Sequence, residues 1–305
     1  MATYSKYIPK QQNQHNITEV RFMKLQGQVA IVTAAGRGIG KGIALALATE
    51  GARLVVNSFS EKTLANTVDA IKELGAEVIS LSGDITDPLK MIALRDLALS
   101  EYGQIDILVN NVGAGPKQSE KPPEHELGLT ASVWDGLYGQ NLKPVVLMTE
   151  AVIPHMKQRK TGKVIHISSI AGRTSLSDKA LNSFVHPAYG AMKAALISYT
   201  QTQAEMFGPF NINVNAVCPG IIYTDAWKSG AQNAVQNIPE YSGMDPREWF
   251  EGIAKGRYPD IFDRTPLRRE QTVEDIGNAV IFLVSQDSMN ITGQSLMVDG
   301  GMVKI

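Results

Sequence analysis

Short apolar runs alternate with stretches of helical spacing along most of the chain. The runs at residues 28–33, 53–57, 77–81, 105–109, 163–168, 212–217 and 294–298 predict strands. Residues 39–49, 61–74 and 88–102 predict helices, and each is closely followed by glycine, a common helix end. Strands that are apolar throughout are typical of a parallel sheet covered by helices on both faces. The alternation therefore predicts an α/β fold class with a doubly wound, parallel, seven-stranded sheet.

Three segments extend this core. Residues 1–24 are polar and predict an amino-terminal arm, and residues 114–129, rich in Pro, Lys and Glu, predict a surface loop. Residues 227–264 fit either a helical cap held by its own aromatic residues or a substrate lid. We expect a single domain over residues 25–305, with a lid-like insertion near residues 225–264. The aromatic residues of the third segment are Trp227, Tyr241, Trp249, Phe250, Tyr258 and Phe262.

Composition and charge exclude several classes of protein. The formal net charge of −1 leaves no basic footprint for nucleic acid, and the single cysteine excludes an internal disulfide and fits a reducing compartment. No apolar run reaches the ~20 residues that cross a bilayer. Residues 1–24 resemble neither a signal peptide nor a transit peptide. The sequence predicts a cytoplasmic protein with no nucleic-acid partner and no membrane partner, and its five histidines show no metal-ligand spacing.

A glycine-rich stretch, Thr33-Ala34-Ala35-Gly36-Arg37-Gly38-Ile39-Gly40, joins the first predicted strand to the first predicted helix. Glycines allow a backbone to approach a pyrophosphate closely, and a helix amino terminus offers unpaired N–H groups and the positive end of its dipole. The stretch therefore predicts a dinucleotide-binding turn. An ordinary glycine-rich turn between a strand and a helix is the alternative.

Tyr189 and Lys193 are four residues apart, so on a helix they project from one face, one turn apart. A phenol has an ordinary pKa of ~10, and a neighbouring ammonium favours its ionised form. The pair therefore predicts an acid/base that moves the proton of an alcohol. A solvated surface pair is the alternative.

His166 lies in a predicted strand and is interpreted as a hydrogen-bonded core residue.

The order of these and further motifs resembles that of the short-chain dehydrogenase/reductase family over about residues 25–302, which implies a Rossmann-type fold. The further motifs are Asp84 after the third strand, Asn110-Asn111-Val112-Gly113 after the fourth, Asn141 in the next helix, Ser168-Ser169-Ile170-Ala171-Gly172 after the fifth, and Cys218-Pro219-Gly220-Ile221-Ile222-Tyr223-Thr224 after the sixth. One departure is Ala34, which stands at the family's first glycine. If that position needs a positive φ, alanine is disfavoured by about 1 kcal/mol.

The resemblance implies a role for each motif. Tyr189 is the acid/base, Lys193 lowers its pKa together with the positive nicotinamide ring and holds the nicotinamide ribose, and Ser169 hydrogen-bonds the substrate oxygen. Asn141 holds a water that links Lys193 to solvent. With Tyr189 and Lys193, the implied cofactor-binding residues are Thr33, Gly36, Arg37, Gly38, Ile39, Gly40, Ser58, Asp84, Ile85, Asn111, Gly113, Pro219, Gly220, Ile222 and Thr224.

The stretch ahead of Tyr189 is longer than is usual in the family, and residues 177–186 look inserted. Ser169 is favoured as the substrate-facing serine because it closes a strand and precedes Ile-Ala-Gly, as in the family pattern. Its competitors in the lengthened stretch are Ser175, Ser177 and Ser183.

NADP is the predicted cofactor, with NAD as the alternative. The second strand ends at Asn57-Ser58-Phe59-Ser60, without the acidic residue that NAD-binding relatives place near Ser58 for the ribose hydroxyls. The arginine that NADP-binding relatives often have near Phe59 is also missing. Ser58, Ser60 and Arg37 are the candidates to meet a 2′-phosphate, although both cofactor classes carry an arginine at the position of Arg37.

The predicted function is NAD(P)-dependent interconversion of a secondary alcohol and a ketone by hydride transfer. The alternatives are a cofactor-free lyase or dehalogenase, and a non-catalytic binding protein, on the same fold. The retained glycine turn argues against the first, and the retained Tyr189 and Lys193 argue against the second. The resemblance implies a homotetramer or homodimer. A hydrophobic or alicyclic substrate is suggested by the mostly apolar pocket candidates Ala114, Ala171, Arg173, Val185, Ile221, Tyr223 and Trp227.

Overall fold

A seven-stranded parallel sheet forms the centre of the computed structural model, which describes residues 22–114, 130–174, 186–258 and 265–304. The strand order is β3-β2-β1-β4-β5-β6-β7, and every neighbouring pair is parallel. The strands are β1 Val29–Val32, β2 Arg53–Ser58, β3 Val78–Ser82, β4 Ile107–Asn110, β5 Gly162–Ile167, β6 Ile212–Pro219 and β7 Ser295–Val298. The predicted Rossmann-type doubly wound fold is confirmed, with strand ends displaced by one or two residues.

Helices connect the strands and cover both faces of the sheet. The three helices predicted from spacing are present, with ends that agree within one residue. The helices of the described residues are α1 Gly38–Thr49, α2 Glu61–Glu73, α3 Pro88–Tyr102, α4 Ala131–Asn141, α5 Lys143–Arg159, α6 Pro187–Phe207, α7 Asp225–Asn237, α8 Pro246–Ala254 and α9 Val273–Val284.

Two hydrophobic clusters fill the space between the sheet and its helices. Alternate residues of β1 belong to different clusters: Ala30 and Val32 to one, Val29 and Ile31 to the other. The first cluster includes α1 and α9, and the second includes α3, α5 and α6. Because side chains alternate across a strand, this division shows helices on both faces of the sheet.

The strand order reverses between β1 and β4, so the connections that leave these two neighbouring strands run to opposite sides. Ligands of open α/β sheets bind in the crevice outside the carboxyl ends of the strands at such a switch point. Thr33, Asn111, Ser168 and Gly220 follow the carboxyl ends of β1, β4, β5 and β6. The topology therefore brings four of the sequence motifs to one edge of the sheet.

Residues 225–258, called the cap below, form a small aromatic core of their own. Trp249 and Phe250 of α8 are almost completely buried, and Tyr241 packs against the rings of Trp249 and Tyr258 at centroid distances of 5.7 and 5.0 Å. The cluster also includes Ile221 and contacts Tyr223, so the cap is held both by its own aromatic residues and by the loop before it. Phe262 lies outside the described residues. Among the described residues, no helix combines the length and apolar character that crossing a membrane requires.

Most of the predicted arm and the predicted surface loop fall outside the described residues, which omit 1–21 and 115–129. At the described end of the arm, Phe22 is exposed and Lys24 forms an ion pair with Asp287 at 2.5 Å. The arm's last residues therefore contact the region that follows α9.

Candidate active site

The glycine turn packs tightly between β1, β4 and α1. The buried Thr33 hydroxyl accepts hydrogen bonds from the backbone N–H groups of Asn111 and Val112 at 3.0 and 3.3 Å. The Asn111 side chain donates to the carbonyl oxygens of Thr33 and Ala34, both at 3.2 Å. A Cβ atom at Gly40 would lie 2.4 Å from the Ala34 oxygen and from Asn111 Nδ2, so only glycine fits there. Gly113, just beyond Asn111, has a φ of +156°.

Ala34 has a φ of +51°, in the left-handed region. This position therefore does need the positive φ that glycine adopts most easily. An L residue other than glycine is strained there by about 1 kcal/mol. The turn therefore keeps the conformation that the family's glycine favours, at the expense of a small amount of stability.

Ala34→Gly is expected to raise the free energy of unfolding by up to about 0.5 kcal/mol, because relief of about 1 kcal/mol of strain outweighs the added freedom of the unfolded chain. Urea denaturation measures this change. Ala35→Gly is the matched control, since Ala35 is fully buried and does not have a positive φ. That variant is expected to lose stability, and equal losses in both variants would contradict the assignment of strain to Ala34.

The amino terminus of α1 faces the crevice. Arg37 precedes the helix, and among the described residues no side chain caps the first N–H groups. The Arg37 guanidinium is largely exposed and lies 3.4 Å from the carboxylate of Asp225. A Cβ atom at Gly36 would lie 2.3 Å from Ser58 Oγ, which places the end of β2 directly against the turn. Gly38, with a φ of +54°, and Ile39 complete the turn.

Tyr189 and Lys193 lie one turn apart on α6, as predicted, with Lys193 Nζ 5.6 Å from the centre of the Tyr189 ring. Tyr189 is half-buried and Lys193 is buried. Lys193 Nζ donates to the Ile167 carbonyl oxygen at 3.0 Å, and Ser169 lies close enough to the Tyr189 hydroxyl to lower its pKa. The end of β5 thus contacts both members of the pair.

Burial controls the ionisation of this pair. Burial raises the pKa of the Tyr189 hydroxyl, and the hydrogen bond to Ser169 offsets part of that rise. Burial also lowers the pKa of the Lys193 ammonium to about 8. In the protein alone, burial therefore dominates the pKa of Tyr189, and the lowering expected from Lys193 together with the nicotinamide ring stays a prediction.

Asn141, the last residue of α4, is buried beside this pair. Its side-chain nitrogen donates to the carbonyl oxygens of Ala114 and Leu137 at 2.9 and 3.0 Å, while its Oδ1 has no hydrogen-bond partner among the described residues. A Cβ atom at Gly113 would lie 2.8 Å from Asn141 Oδ1 and 3.0 Å from Lys193 Nζ. Both polar atoms therefore face the same glycine, and Asn141 Oδ1 is a free acceptor next to the lysine.

The loop 219–224 closes another side of the crevice. The Gly220 N–H donates to the Val298 oxygen at 3.0 Å and to Gln271 Oε1 at 3.2 Å, and Ile222 forms a parallel bridge with Gln271. Thr224 precedes α7, and its methyl group would lie 3.4 Å from a Cβ atom at Gly38. The loop that begins at Pro219 therefore reaches the glycine turn.

The remaining site predictions lie at the periphery or outside the described residues. Asp84 is exposed and accepts hydrogen bonds from the N–H and hydroxyl of Thr86 at 2.9 and 2.8 Å, and the neighbouring Ile85 is buried. Arg173 donates to Ser295 on β7. Among the candidates of the lengthened stretch, Ser175, Ser177, Ser183 and Val185 lie outside the described residues.

Two groups of contacts near the site were missed by sequence reasoning. Cys218 lies close to Ser168 and Ser169, and burial raises its pKa to about 11, so its thiol stays protonated. Asn110, on β4, contacts His166 and Thr149. The expectation for His166, a hydrogen-bonded core residue, is confirmed. Thr149 and His166 lie 39 and 56 positions from Asn110 in the sequence, so no local spacing predicts these contacts.

Comparison with protein families agrees with this geometry. A family model described as short chain dehydrogenase matches residues 28–234, and one described as enoyl-(acyl carrier protein) reductase matches residues 250–303. The 7alpha-hydroxysteroid dehydrogenase of Escherichia coli (strain K12) is 32% identical to the chain over 283 residues. This match covers 92% of the chain and 96% of that protein.

Solved structures of full-length relatives also match. L-sorbose reductase from Gluconobacter frateurii, complexed with NADPH and L-sorbose, superposes with a TM-score of 0.79 at 28% identity, covering 93% of this chain and 99% of that one. A 7α-hydroxysteroid dehydrogenase complexed with NADH and 7-oxo glycochenodeoxycholic acid has a TM-score of 0.75 at 31% identity, covering 93% and 97%. With a family model that matches more than half of its length, the chain belongs to the short-chain dehydrogenase/reductase family, the NAD(P)-dependent oxidoreductases that act on CH–OH groups.

Proposed function

We propose that the protein interconverts a secondary alcohol and a ketone, with Tyr189 as the proton donor and acceptor. The observation that carries the proposal is the convergence of Ser169, Lys193 and Asn141 around Tyr189 at the carboxyl edge of the sheet, beside the glycine turn. An acid, a cation and a hydrogen-bond partner for the substrate oxygen are the protein groups that this chemistry requires.

The residues of the crevice fit a nicotinamide dinucleotide. The uncapped amino terminus of α1 and the close packing at Gly36 and Gly40 suit a pyrophosphate, for which backbone N–H groups are the natural ligands. Lys193 and Asn111 would hold the ribose and the adenosine side, and Thr224 the nicotinamide end. When bound, the cofactor supplies or accepts the hydride.

The proton steps follow from the side chains. During reduction, the Ser169 hydroxyl donates a hydrogen bond to the ketone oxygen, and the Tyr189 hydroxyl gives its proton to that oxygen as charge develops. During oxidation the proton moves in the opposite direction. Asn141 Oδ1, a free acceptor beside Lys193, would bind a water that carries protons between Lys193 and solvent.

NADP is the proposed cofactor, with NAD as the alternative. The adenosine end of the crevice contains Ser58 and Arg37 and, at the end of β2, no carboxylate that would repel a 2′-phosphate. Ser60 accepts a hydrogen bond from the Thr63 N–H as the cap of α2, and Ser58 Oγ lies 3.4 Å from Thr63 Oγ1, so the largely exposed Arg37 is the better candidate. The two solved relatives were complexed with NADPH and with NADH, so relationship alone does not favour either cofactor.

A hydrophobic or alicyclic alcohol or ketone is the proposed substrate. The described pocket candidates Ile221 and Tyr223 adjoin the aromatic core of the cap. One relative is named for a steroid substrate and another solved relative for a sugar, so the family resemblance spans both apolar and polar substrates. The cap at residues 225–258 would act as the lid of this pocket, within a single domain over residues 25–305.

We further propose a cytoplasmic homotetramer or homodimer, with the arm at residues 1–24 outside the catalytic domain. Removal of residues 1–22, followed by measurement of mass and activity, tests the last point. Unchanged values would show that the arm is dispensable for both.

The experiment that tests the function monitors nicotinamide absorbance while the purified protein is offered a panel of alcohols and ketones with NADPH, NADP, NADH or NAD. Turnover with at least one pair is expected, with the lower KM for the 2′-phosphorylated cofactor. Strong preference for NAD would overturn the cofactor assignment. Absence of any fluorescence change on titration with NADPH or NADH would instead favour the lyase or dehalogenase alternative.

A further inference from the structure

Arg247, on the first turn of α8, lies across the loop 219–224. Its guanidinium carbon lies 4.4 Å from the centre of the Tyr223 ring, within the range of a cation–π contact. Tyr223 also meets Phe250 at a centroid distance of 4.8 Å. The cap therefore holds the loop through a cation and an aromatic ring that both belong to α8.

The same guanidinium also forms an ion pair with Glu270, in a third segment. Its two terminal nitrogens donate to the two carboxylate oxygens of Glu270 at 2.9 and 2.7 Å, the bidentate geometry that makes arginine–carboxylate pairs specific. Glu251, one turn along α8, lies 3.6 Å from the guanidinium. Glu270 raises the pKa of Arg247, so the cation is always present.

Glu270 is placed at the loop by its neighbour. Gln271 forms the parallel bridge with Ile222 and accepts a hydrogen bond from the Gly220 N–H at 3.2 Å. Residues 270–271 therefore support the loop along its backbone, while Arg247 covers the Tyr223 side chain. The loop is held between two segments, and Arg247 joins one segment to the other through its ion pair with Glu270.

We propose that Arg247 is a positioning residue that fixes the loop 219–224 in the conformation that receives the nicotinamide half of the cofactor. The proposal rests on the proposed function, since it assumes that this loop contacts the nicotinamide. Arg247 itself touches neither substrate nor cofactor in this assignment. Its loss would remove the cation–π contact of Tyr223 and the ion pair with Glu270, and the energy of ordering the loosened loop would then reduce the affinity for the complete dinucleotide.

The effect should be confined to one half of the cofactor. Loss of a cation–π contact and a partly exposed bidentate ion pair is expected to raise the Kd for the dinucleotide about tenfold in Arg247→Met. The Kd for the corresponding fragment without nicotinamide, ADP-ribose or its 2′-phosphate, should stay within about twofold, because the glycine turn is unchanged. Arg247→Lys keeps the positive charge but not the bidentate guanidinium, so its Kd for the dinucleotide should fall between those of the wild type and Arg247→Met.

Isothermal titration calorimetry on the full chain measures both constants, and the thermal midpoint shows whether each variant is folded. The matched control is Arg257→Met, which removes another cap arginine whose only recorded ion pair, among the described residues, is with Glu248 at 3.8 Å. That variant should bind both ligands like the wild type. Glu270→Gln should weaken dinucleotide binding in the same selective way.

Equal weakening of dinucleotide and fragment, or no weakening of either, would overturn the role of Arg247. If Arg247→Met does not fold, Arg247→Lys and Glu270→Gln decide the same question. Failure of the wild type to bind any nicotinamide dinucleotide would overturn the proposed function instead, so the two failures are distinguishable.

Discussion

Replacement of Tyr189 by Phe is expected to reduce turnover by about 10³-fold and to leave the Kd for the cofactor within about twofold. The change removes a single hydroxyl, the group that lies near Ser169 and, in the proposed mechanism, carries the substrate proton. The aromatic ring stays and continues to pack against Val133, Leu137 and Ala188. Initial rates by nicotinamide absorbance and cofactor titration measure the two quantities separately.

The protein offers a matched control in Tyr102→Phe. Tyr102 ends α3, and its ring packs beneath the guanidinium of Arg53, remote from the carboxyl edge of the sheet. This variant loses the same atom and should keep full activity. Turnover by Tyr189→Phe at a rate close to the wild type would refute the assignment of Tyr189 as the acid/base.

Burial raises the pKa of Tyr189 in the protein alone, so we expect the lowering that the proposed mechanism needs to come from groups that arrive with the cofactor. A shift of about three units, which would bring a phenol to neutrality, corresponds to ~4 kcal/mol. The positive nicotinamide ring of the oxidised cofactor, in a desolvated pocket, is a source of that size. The tyrosine is therefore expected to be a competent base only in the complex.

Acidification from pH 7 to pH 4 is expected to destabilise the protein by ~3 kcal/mol through His166 alone. Burial lowers the pKa of His166 from 6.5 to about 4. The unfolded chain therefore binds a proton on this histidine between these pH values while the folded protein does not. The stability that depends on neutral His166 is fully present above about pH 6.5 and is lost as the pH falls towards 4.

The hydrogen bonds around His166 explain why the folded protein resists protonation of the imidazole ring. Asn110 Nδ2 donates to Thr149 Oγ1 at 3.0 Å and lies 3.2 Å from His166 Nδ1, which makes Nδ1 an acceptor. His166 Nε2 then donates to Gln203 Oε1 at 2.7 Å. A second proton on the ring would set two donors, Nδ1 and Asn110 Nδ2, against each other. Thr149 holds the amide in place, since its own hydroxyl donates to the Val145 oxygen at 2.8 Å.

Urea unfolding of the wild type and of His166→Gln at several pH values between 7 and 4 measures this contribution. The variant is expected to be less stable at pH 7, because it disturbs buried hydrogen bonds, but to lose less stability on acidification. Carboxylates affect both proteins alike, so the difference between the two curves isolates the histidine. Parallel curves over this range would show that His166 does not resist protonation.

Local pattern was sufficient for the seven strands, for the helices α1, α2 and α3, and for the positions of the glycine turn and the tyrosine–lysine pair. The apolar runs of β1 to β7 and the spacing of α1, α2 and α3 indicate which residues are buried. Burial follows the period of each strand or helix, so it is visible in the hydrophobic pattern of the sequence. Thr33 to Gly40 is a single strand–turn–helix unit, and Tyr189 and Lys193 are on a single helix. For such features, neighbours in sequence are neighbours in space.

By itself, then, the sequence determined the α/β class, the order of strands and helices, the glycine turn and the tyrosine–lysine pair, since each depends on contacts within one element or between consecutive ones. Only the tertiary structure decided the positive φ of Ala34, the raised pKa of Tyr189, the tautomer of His166 and the position of Arg247 on Tyr223 and Glu270. These depend on desolvation and on the meeting of side chains from separate elements, and neither is encoded in the spacing of any one segment.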